Sequence, residues 1–223
     1  MMTKKTMLPA ILLAASLSAC ASVPETVTLA DPVAFKAETG AVAAVTEAKS
    51  RSFMNNQSSK AAFGALGGIA NAAKANKVLD EYGLEDPAPE METKLQAYLA
   101  EQTGLTASDA ALDYTAEKKK PKTLTFGDAD YYVDATTLLY GVNYFPTNWT
   151  NYQTYYTGDV RLFDGETGEI VAHNVCTYKY PETAKESPKY DELMDNDAAL
   201  LKANVALLAD RCVEEFKTKA LGF

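Results

Sequence analysis

The stretch from Asp130 to Tyr178 constrains this chain most, because three segments of strand chemistry follow one another there with short links. Asp130–Phe145 and Tyr152–Phe163 are rich in β-branched and aromatic residues, and Glu169–Tyr178 has the same character. Pro146–Asn151 reads as the loop between the first two, and Asp164-Gly165-Glu166-Thr167-Gly168 as a tight turn before the third. The pattern predicts an antiparallel meander. Its first strand is continuously apolar over Thr136–Val142, whereas in the second Val160 and Leu162 alternate with Asp159, Arg161 and Phe163, so one sheet face must be covered. Leu201, Val205, Leu208, Cys212 and Phe216 recur at helical spacing and supply the cover as a single C-terminal stripe, with Asp197 as its N-cap. The expected fold class is therefore α/β (α+β): an antiparallel meander covered on one face by helices that include the C-terminal one.

Upstream, Ala41–Ala48 reads as a first strand and Ser58–Tyr82 as a helix stopped by Gly83. Within that helix Gly64, Gly68 and Ala72 recur every four residues, a stripe that lets another backbone approach closely. Glu90–Gln102 reads as a second helix with an acidic start, ended by Gly104, and Leu105–Lys122 as a polar connection with room for a short strand or turn.

The N-terminus carries a different signal. Met1–Lys5 is basic and Met7–Leu17 apolar, and eleven residues are too few to cross about 30 Å of hydrocarbon, so the segment is a secretory leader. Leu17-Ser18-Ala19-Cys20 resembles the bacterial lipobox, which implies cleavage before Cys20, acylation of its sulfur and new amine, and a permanent lipid anchor. Ala21 stands where an Asp would retain the protein in the inner membrane, so the resemblance implies outer-membrane delivery with the body facing the periplasm. The expected organisation is a leader at 1–19, a lipidated tether at 20–40 and one domain at 41–223. After Cys20, two cysteines remain in a thiol-oxidising compartment, and Cys176 and Cys212 are expected to form a structural disulfide.

Composition excludes several functions. The chain has 21 Lys+Arg against 30 Asp+Glu, a charge of −9 that falls by two more once the leader with Lys4 and Lys5 is removed, so nucleic acid is not an expected partner. One His and three Cys leave little for a zinc site or a His-based triad. Asp128, Asp130 and Asp134 lack a glycine-bent loop to converge on a cation, and His173 has no sequence-near acid or nucleophile. No metal, cofactor or catalytic residue is assigned, and the chain is read as a non-enzyme.

Three stretches resemble a set of uncharacterised Gram-negative envelope lipoproteins: Phe63–Lys77, Leu139–Trp149 with Tyr152, and Arg161–Cys176 running on to Tyr190–Leu193 and Cys212. Leu162–Ile170 is also similar to a hairpin of lipoproteins related to curli secretion and to activators of peptidoglycan synthases. The resemblance implies a small α/β sandwich on a lipid tether and brings no catalytic residue. Nine of the 13 Tyr, with Trp149, lie between Tyr131 and Tyr180, and such side chains suit interfaces. The expected function is a binding or accessory module for another envelope component, most plainly a protein, through Trp149, Tyr152 and Tyr144. The alternative is an assembly protein that self-associates through Gly64 and Gly68.

Overall fold

In the computed structural model, which describes residues 26–45, 52–56, 75–109, 113–115, 123–125 and 127–223, the first elements are α1 (Pro32–Phe35), β1 (Thr39–Ala44) and β2 (Phe53–Asn56). Helical residues 75–82 (α2), α3 (Ala88–Gln102), β3 (Gly104–Ser108), β4 (Asp113–Thr115) and β5 (Thr123–Thr125) follow. The long strands β6 (Tyr131–Phe145), β7 (Asn148–Asp164) and β8 (Ile170–Tyr180) and the helix α4 (Tyr190–Phe216) complete the chain, with a π-helical turn at Lys217–Leu221.

The three-strand meander is present, and its links are tighter than expected. Instead of a loop at Pro146–Asn151, Pro146-Thr147 is a two-residue turn and the second strand starts at Asn148. At the other end Asp164 Oδ1 accepts the Thr167 N–H and hydroxyl at 2.7 and 2.9 Å, while Gly168 takes a left-handed φ of 71°, which closes the turn before β8.

The sheet, however, is mixed rather than purely antiparallel. Its order is β3-β1-β6-β7-β8, and β2 also pairs β6; β1 runs parallel to both β3 and β6, and β2 runs parallel to β6. The residues between β1 and β3 include helices, and a helical connection returns the chain to the sheet in the same direction. Between the two short parallel strands, on the side of β6 away from β7, the buried Glu92 of α3 accepts the Ala135 N–H at 3.0 Å.

One face of the sheet is covered by α3 and α4, with Leu95, Leu99, Leu201, Leu208 and Phe216 against Val133, Tyr156, Val160 and Leu162 in one core. The five-residue C-terminal stripe is buried as read. Asp197 is not its N-cap: Asn196, Asp197 and Ala198 hold φ of 49°, 61° and 55° inside a break in α4, where Asp197 pairs with Lys202 at 2.7 Å. Asn and Asp tolerate that backbone, and Ala198 is held in it by complete burial. The opposite face carries a smaller cluster of Ala43, Val45, Ala129, Tyr132 and Phe163.

Part of the stretch 20–40 expected as a tether is folded onto the body. Val27 bridges His173, Leu29 and Phe35 are buried, and the Phe35 ring meets Tyr131 edge-on at 5.0 Å. Leu29 and Phe35 fill the gap beside the C-terminal turn, where the Leu29 N–H bonds Ala220 O at 2.8 Å, while Val27 stays exposed on the sheet edge. Residues 20–25 of that stretch lie outside the described residues. The glycine stripe with Gly64 and Gly68, and Cys20, lie outside the described residues.

Candidate functional site

The β6–β7 hairpin places the aromatic candidates at one end of the sheet. Phe145 pairs with Asn148, and a register shift sits between Tyr144 and Phe145, so the strands bend where the turn begins. Trp149 is therefore a strand-end residue rather than a loop residue, and it is 64% exposed. Its ring is held from two sides. The indole N–H donates to Pro146 O at 2.9 Å, and the Tyr144 ring meets it edge-on at 6.4 Å. Tyr144 is half-buried against the main core and so connects the exposed indole to the packed interior.

Next to it, Asn148 Oδ1 accepts the Thr150 N–H at 3.2 Å and the Thr150 hydroxyl at 2.8 Å. The Asn151 amide donates to Ala184 O at 3.1 Å and Ser187 O at 2.5 Å, and the Tyr152 N–H to Pro188 O at 2.8 Å. The segment after β8 thus clamps the base of the hairpin and leaves its tip in solvent. Tyr152 belongs to that base. It is 5% exposed and packed edge-on to Tyr190 at 5.4 Å, so it is core and not a contact residue, because the strand's alternation turns it under the sheet toward α4.

One further signal was available in the sequence. Residues 135–158 contain no Asp, Glu, Lys or Arg, in a chain that is 23% charged. The hairpin tip therefore presents amide, hydroxyl and aromatic groups and no charged side chain. Deeper in the strand Tyr155 is buried, which pushes its phenol pKa up, and among the described residues its hydroxyl has no hydrogen-bond partner.

The other polar groupings serve the fold. On the sheet face away from α4, Asp134, Arg161 and His173 stand in register across β6, β7 and β8. Arg161 pairs with Asp134 and lies over the Phe163 ring, while His173 Nε2 and Asp159 Oδ1 are 2.8 Å apart. The acid that His173 lacked in sequence comes from the next strand. Asp130 accepts the Ala41 N–H at 2.7 Å and does not converge with Asp134. Among the described residues no group of three His, Cys, Asp or Glu is placed to hold a metal.

A cleft of about 480 Å³ opens where the α2–α3 connection meets α4, with Asp86, Pro89, Tyr140, Lys202 and Val205 in its wall. Three of its charged groups are engaged locally: Asp86 by the Ala88 N–H and the Thr137 hydroxyl, Lys202 by Asp197, and Glu90 by Lys94; Glu85 lines it as well. The cysteines meet as expected, Cys176 on β8 bonded to Cys212 on α4 with Cα atoms 5.5 Å apart.

No family model matches this chain, and no curated protein matches its sequence. Solved structures similar to it include the hypothetical protein CT253 of Chlamydia trachomatis, at 10% identity and a TM-score of 0.38 over 82% of this chain and 96% of that one. Protein XCC0632 of Xanthomonas campestris, of the DUF330 family, gives 13% and 0.40 over 88% and 91%. Lipoprotein GNA1162 of Neisseria meningitidis gives 14% and 0.23 over 62% and 82%. At these TM-scores none of the three carries an inference about function.

Proposed function

We propose that this chain is a lipid-anchored outer-membrane lipoprotein, attached through Cys20, that acts without catalysis as a binding module for another envelope protein. Its docking surface is the uncharged tip of the β6–β7 hairpin, and Trp149 is the anchor. The observation that carries this reading is that Trp149 is 64% exposed yet fixed by Pro146 O and the Tyr144 ring. A large side chain already ordered before binding loses little conformational freedom when it docks, and such aromatic anchors dominate protein interfaces. The membrane anchor rests on the lipobox resemblance; among the described residues no helix is long and apolar enough to cross a membrane.

Trp149 is the only tryptophan, so its fluorescence reports the site directly. The free protein should be fully open to a collisional quencher, and addition of solubilised Gram-negative envelope should shield the indole. Trp149→Ala should weaken capture of the same partner by about 30-fold, or ~2 kcal/mol, with the melting temperature unchanged. Equal capture by the variant and the parent, or a large fall in melting temperature, would remove Trp149 as the anchor.

A further inference from the structure

Strand β8 closes one side of the sheet, and α4 is held to it at three points: Cys212 by the disulfide to Cys176, Glu215 by the Tyr178 hydroxyl, and Arg211, which lies over the Tyr180 ring at 5.8 Å. Leu200 and Leu207 precede Arg211 by eleven and four residues and share its flank of the helix, so they project beside the strand rather than onto the core. Both are exposed, and Leu200 lines a surface pocket with Tyr180 and Pro181. Tyr180 is exposed too, as is Val27 where it bridges His173 on the outer edge of β8. Four of the eight large apolar side chains exposed among the described residues therefore stand on this one side. Such a concentration marks a contact surface.

Charge on the strand and on the flank has one sign. Ile170–Tyr180 and residues 198–209 contain no Asp or Glu, in a chain with 30 acids against 21 bases. Lys179 is exposed on the strand and Arg211 is half-buried on the flank, whereas Lys202 faces the cleft on the other side of α4. Acids that border the surface are engaged: Asp210 by Lys94, Glu215 by Lys219, and Glu186 and Glu192 by the Thr183 hydroxyl and the Lys189 N–H. Glu182 is exposed past the end of the strand.

We propose that this side of the body lies against an anionic phospholipid bilayer, with Val27, Tyr180, Leu200 and Leu207 at the level of the headgroups and Lys179 and Arg211 toward the phosphates. The chain length brings the two together. Thr26 is fixed to β8 by its hydroxyl bond to Asn174 Oδ1 at 3.0 Å, and it is the sixth residue after Cys20. A chain reaches at most about 3.5 Å per residue, so on the reading that Cys20 is acylated, β8 is held within about 20 Å of the membrane. A tyrosine ring with its polar tip suits the headgroup layer, and a cation gains attraction there within a Debye length, about 10 Å. So small a surface binds a membrane weakly from solution. The tether raises the effective concentration of membrane at the surface, so a weak contact suffices to orient the body.

The full chain carrying Trp149→Phe, reconstituted in phosphatidylglycerol vesicles whose acyl chains are brominated near the headgroup, tests the contact through one introduced indole. Leu207→Trp should be quenched about threefold or more beyond Leu138→Trp, which reports an exposed position on β6, two strands from the edge. Brominated phosphatidylcholine vesicles should bring the two indoles level, and so should Lys179→Glu with Arg211→Glu in the anionic vesicles. Equal quenching of the two positions in phosphatidylglycerol, or quenching that ignores lipid charge, overturns the proposal. Shielding of the Leu207→Trp indole that needs no lipid and grows with protein concentration assigns the surface to a second copy and overturns it equally. Flotation and intact mass report the anchor separately: an acylated chain without the contact removes the surface and keeps the anchor, and an unacylated chain quenched on mixing with the vesicles does the reverse.

Discussion

Single residues on one short sequence stretch have opposite fates here, and burial distinguishes them. Trp149 and Tyr152 are three positions apart, both aromatic and both plausible contacts by chemistry, yet one stands in solvent and the other is sealed under Tyr190. Glu92 makes the same point from the polar side. As the third residue of an acidic helix start it reads as a wet side chain, but α3 turns it onto β6, where it is 3% exposed and holds the Ala135 N–H. Glu92→Ala should lower stability by about 1–3 kcal/mol, because the amide would be left buried without an acceptor. Glu92→Gln keeps an acceptor and should cost less. Urea midpoints of the two variants check this, and equal midpoints would show that water reaches Ala135.

At the level of elements, α4 and β8 are joined by packing and by a covalent bond. The helical stripe and the strand were both legible, and the stripe aimed Cys212 at the strand carrying Cys176. The bond spans a sequence separation of 36, for which chain entropy gives roughly 4 kcal/mol. The expected outcome is no reactive thiol in the purified body until it is reduced, then two, with a lower thermal midpoint; intact mass after alkylation reads the count. The break in α4 was not legible, since nothing in Asp195-Asn196-Asp197-Ala198 announces three left-handed residues. They are accommodated because Ala198 packs at 0% exposure and Asp197 reaches Lys202.

At the scale of the whole molecule, the proposed acylation of Cys20 would attach to a membrane a body onto which Leu29 and Phe35 are already packed. Cys20→Ser should give an uncleaved or soluble product that takes up no labelled fatty acid; label persisting in that variant would refute the anchor. The sequence by itself determined the three long strands, the amphipathic stripe and the cysteine pair, because each is a local pattern: a period of two, a period of 3.6, or two cysteines of which one lies on the stripe and the other on the strand it covers. Only the tertiary structure decided that β1 and β2 join β6 in parallel, that the expected tether packs from Thr26 onward, and which aromatics stay in solvent. Short alanine-rich or isolated apolar segments carry no period strong enough to name a partner. Their pairing and burial follow from which edge and which gap the larger elements leave open.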